Sequence, residues 1–164
     1  MKKIKYILFP LLLFGCVSAN FFLNQPPMQQ IVTISQGERS LKFEAESLIQ
    51  DNTIRTKLTS DLYRGYAEIV YDHGQYKIKS RALPIDKKKA GSLKGDLYAA
   101  FFAGDYPFKS DEKMFGKVEI TNIKKSIYAE DGYHLYDVFY NGKEIRIMNY
   151  VKEYIITIFS DKEY

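Results

Sequence analysis

Asp131-Gly132 and Asn141-Gly142 each stand between runs in which apolar and polar residues alternate, and this arrangement constrains the chain more than any other feature. Aspartate or asparagine followed by glycine suits the positive φ values of a two-residue hairpin turn, so the flanking runs fold back on one another as antiparallel strands. Late strands are expected near 117–122, 123–130, 133–140, 144–150 and 153–160. The same period of two marks an earlier group. A first strand is expected over 29–35, Leu41, Phe43 and Ala45 alternate with Lys42, Glu44 and Glu46, and Ile54, Leu58 and Leu62 oppose Arg55, Lys57 and Asp61. Runs over 66–72 and 75–82 flank His73-Gly74, a further hairpin tip, and Pro84 closes this meander.

Between the two groups the period changes. Leu93, Leu97 and Phe101 recur at helical spacing, with Ser92 placed to cap the start and Gly104 to end it, which predicts the main helix over 92–103. Several late strands are apolar on both faces: Tyr133, Leu135 and Phe139 share one side while Tyr136, Val138 and Tyr140 share the other. A one-sided sheet does not need this. Either a helix covers the second face, or the sheet curls around an apolar cavity. The expected fold class is therefore mostly β (α+β), a curled antiparallel sheet with one main covering helix.

The first twenty residues read as a secretory signal: a basic start, an apolar run from Ile7 to Phe14 containing Pro10, then small residues. That run is shorter than the roughly 20 apolar residues a membrane-spanning helix needs. Two processing sites compete. Leu13-Phe14-Gly15-Cys16 resembles the bacterial lipobox, which would make Cys16 a lipidated first residue, while Val17-Ser18-Ala19 fits an ordinary signal peptidase site. Cys16 is the chain's single cysteine and has no internal disulfide partner, which favours lipidation. The division expected is a signal peptide with its helix over 1–15, a lipidated tether over 16–28 containing Pro26-Pro27, and one domain over 29–160.

The net charge of +4 belongs largely to this signal. Without Lys2, Lys3 and Lys5, 21 basic residues face 20 acidic ones, which removes the main electrostatic case for a nucleic-acid partner. Lys87-Lys88-Lys89 reads as a solvated loop or a contact for anionic headgroups.

Motifs for catalysis are few. With two histidines and one cysteine the usual Cys/His zinc site is excluded, and no HExxH, GxSxG, GxGxxG or P-loop occurs. His73 and His134 both read as turn residues, and Asp61, Glu68, Asp72, Asp96 and Asp137 are carboxylates that no spacing singles out. No enzyme activity and no cofactor is expected. The aromatic helix has two readings: Leu97, Phe101 and Phe102 pack onto the sheet as core, or they wall an apolar groove that takes an acyl chain, with Tyr136 and Phe139 from the strands.

The lipobox cysteine, the meander through Leu62-Tyr63-Arg64-Gly65-Tyr66-Ala67-Glu68-Ile69-Val70-Tyr71-Asp72-His73-Gly74-Gln75-Tyr76, the stretch through Leu83-Pro84, and Gly95-Asp96-Leu97-Tyr98-Ala99-Ala100-Phe101 together resemble the LolB-like outer-membrane lipoproteins, in particular an uncharacterised group that accompanies aryl polyene lipid gene clusters. The resemblance implies a half-open β-barrel closed by helices, lipid-anchored on the periplasmic face of the outer membrane, whose interior accepts acyl chains without catalysis. It also implies a periplasmic carrier protein as a partner. The chain departs from LolB in having no tryptophan. A soluble periplasmic protein, or a protein-interaction module on the same β-rich fold, is the alternative expectation.

Overall fold

A computed structural model of the chain describes residues 24–50, 53–72, 75–83, 87–101, 109–110 and 113–164. The expectations for Cys16, His73, Gly74, Pro84, Phe102 and Gly104 lie outside these. The strands are β1 (Asn24–Gln36), β2 (Arg39–Gln50), β3 (Thr53–Ser60), β4 (Gly65–Asp72) and β5 (Gln75–Arg81) before the helix α1 (Lys87–Phe101), and β6 (Lys109–Ser110), β7 (Lys113–Ile120), β8 (Lys124–Ala129), β9 (His134–Asn141), β10 (Glu144–Asn149) and β11 (Tyr154–Ser160) after it.

Each group is a meander, and the two are joined by antiparallel pairing of the first and last strands, with Gln30 opposite Ser160 and Ser35 opposite Ile155. The spatial order runs β5-β4-β3-β2-β1-β11-β10-β9-β8-β7-β6, so the first and last strands meet in the middle and α1 lies between the two edges in sequence. The sheet stays open at β5 and β6. The expected curled antiparallel sheet with one covering helix is what forms.

The alternation read from the sequence decides which face turns inward. Phe43, Ala45, Ser47 and Ile49 of β2 and Ile54, Thr56, Leu58 and Ser60 of β3 are buried, while Glu44, Glu46, Arg55 and Lys57 are exposed. Gly132 and Gly142 both hold the positive φ that their turns require.

β7 starts at Lys113, four residues before the expected 117, and β6 was not expected; three other boundaries differ for a physical reason. First, β1 begins at Asn24 and so includes Pro26 and Pro27; the register against β2 slips by one residue between Gln25 and Met28, and pairing with β11 starts at Gln30, so the bulge absorbs prolines that cannot serve a regular ladder. Second, β3 stops at Ser60 and Leu62 falls in a turn, 81% exposed rather than on the inner face. Third, α1 starts at Lys87, so Ser92 is inside the helix and the lysine run belongs to its first turns. Gly91 is there because the helix passes close to Tyr76: a Cβ would meet the tyrosine hydroxyl oxygen at 2.8 Å.

Lys125 of β8 sits in the interior, 1% exposed, with its Nζ 5.8 Å from the Tyr140 ring centroid. Burial pushes its ammonium down from the ordinary 10.5 to about 7. Unfolding therefore takes up a proton between these values, and stability rises with pH across that window. Lys125→Met should stabilise the fold at pH 6, by on the order of 2 kcal/mol. The advantage should shrink toward pH 10, as urea denaturation at a series of pH values would measure.

Candidate functional site

One helix cannot cover so wide a sheet. α1 packs against β5, β6, β9 and β10. Beneath it, over β1, β2, β3 and β11, a cavity of about 410 Å³ remains. Its floor is formed by Val32, Ile34, Phe43, Ile54, Leu58 and Ile156, all on inward positions of their strands, and its roof by Leu93, Leu97 and Phe101. The helical spacing seen in the sequence is thus the spacing of the cavity's roof. This volume lies in the range of small-molecule sites, which are mostly apolar concavities with few polar groups.

The polar groups in the wall are satisfied locally. The Ser47 and Thr56 hydroxyls bond each other at 2.8 Å, and Gln30 Nε2 donates to the Tyr164 hydroxyl at 2.9 Å. Tyr164 also lies against Phe101, ring centroids 6.1 Å apart, closing that end; burial pushes its phenol up to about 12. At the opposite end Leu41 is 41% exposed, Gln36 is exposed and Lys152 half-buried, and the Gln36 side-chain amide donates to the Lys152 carbonyl at 3.0 Å. That end is the mouth.

A buried carboxylate fixes the helix over this cavity. Asp96 on α1 is fully buried and accepts Asn149 Nδ2 at 2.7 Å and the Tyr154 hydroxyl. Asn149 in turn accepts, through Oδ1, the backbone amides of Val151 and Lys152. Helix, turn and cavity rim are therefore one hydrogen-bonded unit. Burial, then the neighbouring Asp96 charge, pushes the Tyr71 phenol well above its usual range, so it stays a neutral core group. The Tyr140 phenol is likewise held neutral by burial and donates to the Ala100 carbonyl near the helix end.

Of the residues singled out as a groove, Leu97 and Phe101 line the cavity. Tyr136 and Phe139 do not: three positions apart on a strand they point to opposite faces, and no residue of β9 lines the cavity. Tyr136 is wholly buried in the core, and Phe139 lies on the outer face with Lys124 Nζ 6.0 Å from its ring centroid. Sequence reasoning missed Ile34, Phe43, Ile156 and the rim residue Lys152, whose roles depend on strand pairing.

The outer face carries a second cluster. A bulge places one extra residue of β9, Leu135, opposite the step from Ile127 to Tyr128, and this turns His134 onto the same face as Asp137. Asp137 accepts the Ser126 hydroxyl at 2.6 Å, the Tyr150 hydroxyl at 2.9 Å and His134 Nε2 at 3.0 Å, with Lys124 at 3.5 Å. The His134 ring lies between Tyr128 and Tyr150, centroids 4.7 and 4.4 Å away. Serine, histidine and aspartate meet here, but Ser126 donates to the carboxylate and not to the imidazole, so the relay that activates a nucleophile is missing. The cluster's hydrogen bonds tie β8, β9 and the turn after β10 together.

A wider depression on the outer face of β2–β5 is charged instead of apolar, with the cross-strand row Glu46, Lys57, Glu68 and Lys79 alternating in sign. Among the described residues no group of histidine, cysteine or carboxylate side chains could hold a metal ion, and no helix is long and apolar enough to cross a membrane.

No protein-family model matches the chain, and no curated protein does. Solved structures similar to it include a "putative outer membrane lipoprotein-sorting protein domain" from Vibrio parahaemolyticus, with TM-score 0.45, 8% identity and 83% of each chain covered. Another is a DUF1329 family protein from Desulfovibrio piger, with TM-score 0.44, 7% identity and 82% of each chain covered. Likenesses this distant assign nothing to individual residues.

Two substitutions test the polar anchors. Asp96→Ala leaves Asn149 and Tyr154 without their buried acceptor and should cost about 3 kcal/mol, with amide exchange in α1 accelerated. For Asp137, burial pushes the carboxyl up, but hydrogen bonds from Ser126 and Tyr150 and the adjacent His134 together hold it below its ordinary 3.8. That stability is present above 3.8 and lost as pH falls through the depressed value. Asp137→Asn should therefore destabilise by about 2 kcal/mol at pH 7, with the deficit closing in acid, as read by denaturant titrations at both pH values.

Proposed function

We propose that the protein binds a single acyl chain or similar lipid tail in the cavity beneath α1 and holds or passes it on without chemical change. The observation that carries this reading is a roofed cavity whose wall is mostly aliphatic and aromatic, and whose interior Ser47 and Thr56 hydroxyls bond each other instead of facing a ligand. Such a wall offers a hydrocarbon chain what it needs, the removal of apolar surface from water, at about 25 cal/mol per Å² buried. It offers a polar metabolite little.

The setting that fits this activity is the bacterial envelope, with Cys16 as the lipidated anchor and the domain on the periplasmic face of the outer membrane, receiving its ligand from a carrier. The aryl polyene lipids associated with the resembling group would suit the same apolar site.

Native mass spectrometry of the purified protein, with titration of a fluorescent fatty-acid probe, tests the binding. Co-purified lipid or saturable probe binding is expected. Leu97→Trp, which fills the cavity from the roof, should abolish binding while shifting the thermal midpoint by only a few degrees. A chain that carries no lipid and takes up no probe overturns the reading. For the anchor, metabolic labelling with palmitate in a bacterial host should mark the chain and disappear in Cys16→Ser.

A further inference from the structure

The outer face of β2–β5 carries more positive charge than its own carboxylates match. The depression there, about 890 Å³ in volume, is lined by Arg55, Lys57, Arg64, Lys79 and Arg81 against Glu46 and Glu68. Both carboxylates stand in one cross-strand row with Lys57 and Lys79, so each lysine has an opposite charge beside it. The arginines are left over.

Two of them meet at one corner. Arg64 ends the turn after β3 and Arg81 ends β5, and the backbones touch at Gly65, where a Cβ would meet the Arg81 carbonyl oxygen at 2.5 Å and the Ala82 Cβ at 2.9 Å. Tyr66 forms a bridge with Ala82 across the same contact. The corner is made of unfavourable backbone: φ is 46° at Arg64 and 61° at Ala82, the left-handed region in which a residue with a Cβ is strained. Such strain persists where the surrounding structure imposes it. It fixes the backbone from which the two guanidinium groups start.

Two hydroxyls complete the corner. Thr59 and Tyr66 are partners across β3 and β4, both half-buried on the outer face and both in the wall of the depression. Among the described residues neither hydroxyl and neither guanidinium makes a hydrogen bond or an ion pair. Glu44 faces Thr59 from β2, and Glu68 follows Tyr66 along β4. An extended anionic surface would press against both carboxylates, whereas a compact anion entering beside Arg64 and Arg81 meets the cations alone. The planar fork of arginine matches the oxygens of a phosphate, which two such groups and two hydroxyls can surround.

We propose that this corner binds a phosphate group, with Arg64 and Arg81 holding its charged oxygens and the Thr59 and Tyr66 hydroxyls as further donors. It lies on the face of the sheet opposite the acyl cavity and stands independently of acyl binding. The shared chemistry is a phosphate, carried by a phospholipid headgroup or by a small soluble ester.

Amide NMR titrations of the full chain test this with four probes: inorganic phosphate, glycerol 3-phosphate, dihexanoylphosphatidylglycerol below its micelle concentration, and neutral dihexanoylglycerol. Saturable shifts are expected at the amides of 64–66 and 81–82 with the phosphate compounds and not with dihexanoylglycerol. Response to the lipid alone assigns a headgroup, response to the soluble compounds alone a soluble ester, and response to all three the phosphate itself; each supports the proposal. Arg64→Gln and Arg81→Gln should each weaken binding about fivefold, the scale of an exposed ion pair, while Lys42→Gln, which removes a cation from the outer face of β2, should leave it unchanged. Unchanged thermal midpoints separate these effects from unfolding, and Arg81, whose φ is ordinary, carries the comparison if Arg64→Gln disturbs its turn. The proposal is overturned if no phosphate compound shifts these amides, or if Lys42→Gln weakens binding as much as the arginine variants do. Either result leaves the acyl-binding reading untouched.

Discussion

The inner face of an eleven-stranded sheet is covered by a helix of fifteen residues. Strands lie about 4.8 Å apart, whereas a helix is about 10–12 Å across and rises 1.5 Å per residue, so α1 offers a cover roughly 22 Å long. Laid flat, the sheet would be more than twice as wide. Curling reduces the mismatch, and the topology uses what cover there is, because the chain must cross from the β5 edge to the β6 edge in any case. The remainder is the cavity. It follows from geometry and needs no special residue to open it.

What does need special residues is holding the roof over a space that provides little packing. The helix contacts the outer strands on both sides of the cavity, and Asp96 fixes it by accepting hydrogen bonds from Asn149 and Tyr154. A buried carboxylate is a costly fastener, favourable only when its acceptors are matched, yet it is directional where hydrophobic packing is not. The Asp137 cluster plays a comparable part outside, where β8 and β9 are buried on both faces and the bulge at Leu135 brings His134, Tyr128 and Tyr150 into one stack.

The strands, the two Asx-Gly turns and the inward positions of β2 and β3 could be read from alternation because each is a local consequence of period two. The roof was legible for the same reason, Leu93, Leu97 and Phe101 sharing one side of a helix. The sequence was silent where non-local pairing decides. That Ile34 and Ile156 share a floor depends on β1 meeting β11, and that Lys152 reaches the cavity wall depends on where the turn after β10 falls in that register. Bulges are silent too: one lets Pro26 and Pro27, which cannot serve a regular ladder, fit inside β1, and another reverses the facing of the residues before it, so that His134 leaves the face its parity implies. Tyr136 and Phe139, by contrast, could have been separated by parity alone.

The junction of β1 with β11 also sets an order of events. Gln30 and Ser160 are partners from opposite ends of the chain, so a polypeptide made from its N-terminus can complete β1–β5 early but leaves one side of β1 without its neighbour until β11 exists. Contacts so distant in sequence carry a large loop-closure cost and form slowly. The seam of the molecule is therefore its centre, not its rim. The floor shared by β1 and β11 needs both halves, and neither half by itself encloses the cavity.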